Sequence, residues 1–435
     1  MTADPRTSPE LGAGSPVDPD YPVTPVPPHA RKSLVALLFV LCGFTVFTPT
    51  MLAGAALAPN FTVAGLLGVI AAGSLILGTY VAVMGWVGSR TRLTTVVMAR
   101  YGFGMRGAKL ASLLLGGTQI GWYGVTIGTI GDLTAVATGW DSFAARATIM
   151  VVTSALMCAT ACYGFRGMAL ASMVSTPLIV VLAFWVLSRS LDEVGGWSGF
   201  AAIEPSGTLA TSVAITTVVG TFISAGTQAP NWTRFARTGT QAVWACVAAF
   251  VLGNGLMIFF GAVGALTFQQ ADFVLVLYNL GLVGWGLVLL FGNLWTSNAD
   301  TAYAFGVAGA ELFERPTKTP FVIGGTVIGT VLALAGVQNH LITYLGLLGT
   351  FIPPLGGVII GDFLARWRGG IPTRDAYTPP LVRWENLGVY AVAGFAAWAT
   401  GEIGWGIPPL TGVLLAVVLT VAVARLRRQQ DMLPV

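Results

Sequence analysis

The stretch GFTVFTPTMLAG, residues 43–54, puts Pro49 in the middle of an apolar run that extends from Leu34 to Leu57. A proline removes one amide donor and crowds the carbonyl four residues back, so a helix passing through it is kinked or broken. Two further apolar runs are interrupted in the same way. GTFISAGTQAPNW, 220–232, carries Gly226 and Pro230, and GLLGTFIPPLGG, 346–357, carries Pro353 and Pro354. In hydrocarbon a freed backbone group finds no water, so a mid-membrane break is expected only where it is buried in protein or lines a wet cavity.

That the surroundings are a membrane follows from composition. Only 9% of the 435 residues are charged and 55% are hydrophobic, with a mean hydropathy of +0.77. Twelve apolar segments of spanning length can be drawn, at 34–57, 62–87, 108–138, 146–164, 168–188, 210–236, 241–267, 274–311, 319–336, 341–364, 386–401 and 408–426. Each is of the order of the roughly 20 residues that cross a bilayer as a helix. With the N-terminus inside, the basic loops from Arg31 and Lys32 through Arg90, Arg92, Arg234, Arg315 and Arg366 to Arg425 all fall on the cytoplasmic side, and Arg146 and Arg189 outside. This bias places both termini in the cytoplasm. The net charge of +4 is thus dealt out loop by loop, which excludes the gathered basic face of a nucleic-acid binder.

The first and sixth segments superpose, Gly43 on Gly220 and Thr50 on Thr227, and five spans separate their starts. An odd offset inverts the second unit in the membrane, the pattern of transporters built from inverted repeats that bind a ligand between two broken helices. A third feature is the polar stretch FGNLWTSNADTAYAFG, 291–306, in the eighth segment. At 100° per residue Asn293, Thr296, Ser297, Asp300 and Thr301 share a face about 140° wide, with Trp295 and Ala299 pointing away. Small polar residues also glue helices together. Two hydroxyls and an amide opposite the freed carbonyls of a broken helix suit a small hard cation.

In the third segment, GGTQIGWYGVTIG, 116–128, places Gln119 and Trp122 at i and i+3, on one side of a helix. Gln offers donors and an acceptor, and indole a flat apolar face. With Phe222 in the break of segment six, and Ser224 and Ala225 beside it, the set suits a flat, neutral heteroaromatic ligand. Enzyme chemistry has little to draw on. The two histidines, His29 and His340, are far apart, and the four cysteines, Cys42, Cys158, Cys162 and Cys246, lie in apolar segments without paired metal spacing. That excludes a Ser/His/Asp triad and a histidine or cysteine metal centre. A channel would need a continuous polar path, and no second segment has a stripe like the eighth.

LLLGGTQIGWYGV, GTFISAGT, GNLWTSNAD and IPPLGGVIIGDF, in this order and spacing, resemble the cytosine permeases of the nucleobase:cation symporter-1 (purine-cytosine permease) family, from residue 25 to about Arg428. The resemblance implies an all-α integral membrane fold of 12 transmembrane helices, two inverted five-helix repeats plus two C-terminal helices. It implies secondary transport of a nucleobase, most directly cytosine, with sodium as the coupling ion and no other cofactor. It assigns Trp122 and Phe222 to stacking on the base, Gln119 and Ser224 to its edge, Thr221 and Ala225 to it through backbone groups, and Asn298 to the same set. Sodium falls to Asn293, Thr296 and Ser297, with backbone oxygens of Gly43 and Val46.

The expected organisation is a disordered cytoplasmic tail, 1–30, without the features of a signal peptide; a transport core, 31–375, with repeats of about 31–190 and 208–365; two added helices, 376–428; and a tail, 429–435. The expected location is the inner membrane, and the expected partners are base, sodium and lipid, with no nucleic acid and no obligate protein partner. Departures from the family pattern are specific. Asn298, Ala299 and Asp300 stand where Asn-Asp-Asn is usual, Ser297 replaces Thr, and QAPNWTRF, 228–235, stands for an LTADFVRF type, making Gln228 and Asn231 new polar groups. Asp300 is accordingly either a neighbour of the sodium site or the proton carrier of a proton-coupled permease. An integral-membrane enzyme is the rival of another class.

Overall fold

The break announced by Pro49 is present. In the computed structural model, α1 (Leu34–Thr45) and α2 (Thr48–Leu57) meet at an angle of 54°, with Val46 and Phe47 between them. The structure describes residues 25–163, 166–270, 272–313, 315, 317–368, 370 and 377–430, and their side chains except at 163, 166–176, 296 and 428–430. Ser33 caps α1, its side-chain oxygen accepting from the Ala36 amide at 3.4 Å. Proline at the second position of α2 costs nothing there, since the amides of a helix's first turn have no intrahelical partner.

The rest of the chain continues as helices: α3 (Val63–Thr91), α4 (Thr95–Phe103), α5 (Lys109–Thr138), α6 (Phe143–Tyr163), α7 (Arg166–Val194), α8 (Trp197–Ala201), α9 (Thr211–Thr227), α10 (Pro230–Thr233), α11 (Gly239–Val247), α12 (Asn254–Phe268), α13 (Phe273–Asn279), α14 (Val283–Leu312), α15 (Thr319–Leu334), α16 (Leu341–Asp362), α17 (Trp384–Ile403) and α18 (Pro408–Gln430). A π-turn, Ala248–Gly253, joins α11 to α12, and another, Phe363–Trp367, follows α16. Among the described residues five helices are by themselves long and apolar enough to cross a membrane, and the bent pair α1–α2 makes a sixth. Phe39, Phe395 and Ile403 are 77%, 65% and 77% exposed, the surface of a chain whose outer solvent is hydrocarbon.

Glycines let two pairs of helices pack closely. A Cβ on Gly54 of α2 would fall 1.9 Å from the Ile258 carbonyl of α12, and one on Gly261 of α12 would meet Met51 of α2. In the other pair, Gly73 of α3 faces Val218 of α9, and Gly226 of α9 faces Val81 of α3. Such small-residue crossings are how bundles pack tightly without a hydrophobic driving force between helices. On the other side, α5 packs against α14, α15 and α6, while α16 lies along α9 and α18.

Four expectations are corrected. The tenth segment is not broken: α16 runs continuously through Pro353 and Pro354. It is almost wholly buried between neighbours, which tolerates the lost amides. The sixth segment breaks later than expected, at Gln228–Ala229, so Thr221, Phe222, Ser224 and Ala225 sit inside α9 and not in an unwound stretch. Three successive cap bonds close that helix end instead, from Gln228 N to the Ser224 and Ala225 carbonyls and from Ala229 N to that of Gly226. The eighth segment is divided, α13 being separated from α14 by a turn at Gly281, whose φ of +80° only glycine adopts freely. Finally, residues 25–30 are not a free tail. Val26 is 2% exposed, its amide donates to the Arg92 carbonyl at 3.3 Å, and the Lys32 amide donates to Phe235 O at 2.7 Å.

Candidate functional site

The break between α1 and α2 is held from across the bundle. Asn293 of α14 donates from Nδ2 to the Val46 carbonyl at 3.1 Å, and its Oδ1 accepts from both the Thr48 amide and the Thr48 hydroxyl at 3.1 Å. A single amide thus satisfies a carbonyl and an N–H that the broken helix leaves open, at a position 2% exposed. Among the described residues no backbone amide reaches the Gly43 carbonyl, one of the last four of α1.

Next to this joint lies a narrow cavity of about 20 Å³. Phe44 and Phe47 line it from the break, Gln119 and Trp122 from α5, Thr221, Phe222 and Ala225 from α9, and Ser297 and Thr301 from α14. Its aromatic walls interlock edge to face: Phe47 stands 6.0 Å from Trp122 and 6.3 Å from Phe222, Phe44 is 5.4 Å from Phe222, and Tyr344 backs Trp122 at 5.8 Å. Edge-to-face arrangements at this spacing are favoured by the ring quadrupoles. The polar edge is a relay. Gln119 Nε2 donates to Ser224 Oγ at 3.3 Å, Ser224 Oγ is 2.7 Å from Thr118 Oγ1, and Tyr344 donates to the Thr118 carbonyl at 2.5 Å.

Other sequence-selected residues are placed as follows. Thr221 is held on both sides, donating to Val218 O at 2.7 Å and accepting from Asn254 Nδ2 at 2.9 Å. Asn298 does not line the cavity; its Nδ2 lies 3.4 Å from Met157 Sδ of α6, and its buried Oδ1 has no partner among the described residues. Trp295 points away as expected, donating to Thr160 Oγ1 at 3.2 Å. Thr301 donates to Ser297 O at 2.8 Å. The Thr296 side chain lies outside the described residues. Asp300 is half-buried, and among the described residues neither a hydrogen bond nor an ion pair reaches it. Gln228 and Asn231 serve the second break: Gln228 Nε2 donates to Ser224 O at 3.4 Å, and Asn231 Oδ1 accepts from the Thr95 amide at the start of α4 at 3.1 Å. Sequence reasoning missed Phe44, Phe47 and Tyr344. The signal for the first two was at hand, since both flank Val46 inside the interrupted stretch.

Residues 25–411 match the family described as permeases for cytosine/purines, uracil, thiamine and allantoin. The chain belongs to the nucleobase:cation symporter-1 family. The cytosine permease of Escherichia coli (strain K12) is 38% identical over 351 residues, covering 81% of this chain and 82% of that one. The hydantoin permease of Microbacterium maritypicum is 24% identical over 378 residues, covering 77% and 74%. Among solved structures, the inward-facing conformation of Mhp1 matches with a TM-score of 0.81 over 96% of both chains at 20% identity. Membership of the symporter family makes this an all-α, multi-pass membrane transporter and not an enzyme.

Proposed function

We propose that the chain imports a nucleobase, cytosine foremost, together with one sodium ion by alternating access. The observation that carries the reading is the cavity, where aromatic faces from α5, α9 and the first break surround a Gln119–Ser224 polar edge. A flat base would stack on Trp122 and Phe222 with Phe47 at its rim. Gln119, Ser224 and Thr221 would meet its donors and acceptors, with Ala225 forming the apolar wall beside them. The similarity to a cytosine permease agrees.

Sodium would sit at the adjoining joint, where Gly43 and Val46 offer carbonyls and Asn293 and Ser297 neutral side-chain oxygens, with Thr296 on the same helix face. Neutral oxygens at the end of a half-helix fit a monovalent cation. To bind it, Asn293 would turn Oδ1 from Thr48 to the ion, and the Val46 carbonyl, released from Nδ2, would join it there, so that the ion sets the angle between α1 and α2 beside the base. One charge moving through about 100 mV supplies roughly 2.3 kcal/mol. A tenfold ion gradient adds about 1.4 kcal/mol, which together allow a several-hundredfold accumulation of a neutral solute.

Twelve spans in two inverted repeats, about 31–190 and 208–365, followed by two C-terminal helices, account for the packing. Exchanging spans by an offset of five maps the α2–α12 contact onto the α9–α3 contact, and α5–α6 onto α14–α15. Both termini would face the cytoplasm from the inner membrane. The second reading keeps the fold and replaces sodium with a proton on Asp300, favoured by the lack of any partner to that carboxyl among the described residues. Radiolabelled uptake of a nucleobase panel into proteoliposomes separates them. Cytosine accumulation driven by a sodium gradient supports the proposal. Accumulation that follows a pH gradient and ignores sodium supports the second.

A further inference from the structure

Away from the base cavity, the cytoplasmic ends of α3 and α16 border a second, open cavity of about 190 Å³, lined by Ser89, Arg90, Arg92, Phe363, Trp367 and Arg368. Phe363 is buried and packs perpendicular to Trp86 of α3 at 5.6 Å, which fixes the two helix ends to each other behind it. Its electrostatics are unbalanced. The carboxylate nearest in sequence, Asp362, is already engaged, accepting from Trp367 Nε1 at 2.7 Å and paired with Arg366 Nε at 3.3 Å.

The three arginines differ in what they do. Arg92 adopts a left-handed conformation, φ +63°, that ends α3. Its guanidinium donates to the carbonyls of Arg234, Ala236 and Arg237 beyond α10. Burial, and after it the charges of Arg31 and Arg90, draw that guanidinium below its ordinary pKa, so positive charge is crowded here. Arg90 and Arg368 are exposed at the mouth. Among the described residues neither makes an ion pair or a hydrogen bond. The helix C-termini beside them carry only about half a negative charge each, too little to balance three guanidiniums. Planar forks of this kind match phosphate oxygens bidentately, and the wall of Trp367 and Phe363 lowers the local dielectric that a pairing would feel.

We infer that the cavity between the ends of α3 and α16 is a cytoplasmic site for a phosphate group, gripped by Arg90 and Arg368 with Arg92 behind. The group is either a free polyphosphate anion or the head of an anionic phospholipid, and in both cases its oxygens bridge a helix of the first repeat to one of the second. The inference is independent of the identity of the transported base.

The test uses the full chain. Inorganic pyrophosphate is titrated into detergent-purified protein at constant ionic strength, and phosphatidylglycerol bound to the protein is counted by native mass spectrometry from nanodiscs mixing it with phosphatidylcholine. The variants are Arg90→Gln with Arg368→Gln, and as a charge-matched control Arg106→Gln with Arg425→Gln, both exposed and outside the cavity lining. Because the Arg90 and Arg368 side chains make no ion pair or hydrogen bond among the described residues, the first pair should keep the wild-type melting temperature. Loss of a charged hydrogen-bond donor predicts about tenfold weaker binding per arginine, with the control within about twofold of wild type. Pyrophosphate binding identifies a free anion, and retention of phosphatidylglycerol identifies the lipid. An equal loss in both double variants, or no binding of either probe by the wild type, overturns the site.

Discussion

The two breaks that the repeats would relate are satisfied in opposite ways. At the first, between α1 and α2, the open carbonyl and amide of Val46 and Thr48 are held by one side chain from a distant helix, Asn293 of α14. At the second, after α9, the chain closes on itself. Gln228 and Ala229 cap the helix, Gln228 adds its side chain, and Thr227 and Asn231 tie the turn to α3 and α4 through Tyr80 at 2.6 Å and through the Thr95 hydroxyl and amide. A break closed by its own backbone and tied to two neighbouring helices is a fixed corner. One fastened by a single neutral amide is a joint that a cation can take over, because an ion offers the same oxygens a better partner than a hydrogen bond. On the proposed reading, the first break senses the ion and the second is a rigid support.

The comparison is broken most severely by Asn293→Leu. It leaves a buried carbonyl and amide without partners, for a loss of roughly 2–4 kcal/mol of stability. The expected outcome is a clear drop in melting temperature in detergent and no further stabilisation by sodium, whereas an unshifted melting curve would show that the joint is held elsewhere. Trp122→Ala comes next. Removing one face of the ring sandwich should weaken cytosine binding by about 1–3 kcal/mol while the folded protein still reaches the membrane. Normal binding by this variant takes Trp122 out of the site.

Gln119→Leu removes the amide that bonds Ser224 and leaves stacking intact, so it should alter the preference for cytosine over uracil by about 1–2 kcal/mol. A competition panel reads this directly, and an unchanged profile counts against a polar edge at α5. The smallest effect belongs to the second break. Asn231→Ala deletes the acceptor for the Thr95 amide and should cost about 0.5–1.5 kcal/mol of stability, with sodium dependence of transport untouched. If sodium dependence falls instead, both breaks sense the ion and the contrast drawn between them fails.

Composition, interrupted apolar runs and loop charge made the membrane class readable from sequence, because lipid imposes length and polarity directly on each segment. The polar stripe of α14 and the Gln119–Trp122 pair were readable for the same reason, since polarity in hydrocarbon is exceptional. What stayed hidden depends on neighbours. Pro353 and Pro354 look like a break, yet burial carries α16 through both. Phe222 and Ala225 look unwound, yet the cap at Gln228 moves the break beyond them. Asn298 shares the polar stretch, but its amide turns to Met157, a contact that no local pattern encodes. Phe44 and Phe47 were passed over although they lie in the interrupted stretch, because only the break that turns them toward the cavity sets them apart from other aromatic residues of an apolar run.

The most direct measurement is cytosine affinity as a function of sodium concentration in wild type, Ser297→Ala and Asn231→Ala. Ion and base binding are linked, so an ion that tightens the base must itself bind more tightly in the base's presence, by the same factor. The wild type and Asn231→Ala should both gain affinity as sodium rises. Ser297→Ala, short of one ligand beside the first break, should need about tenfold more sodium for the same gain. A wild type indifferent to sodium, or a Ser297→Ala response equal to the wild type's, would contradict an ion site at the α1–α2 joint.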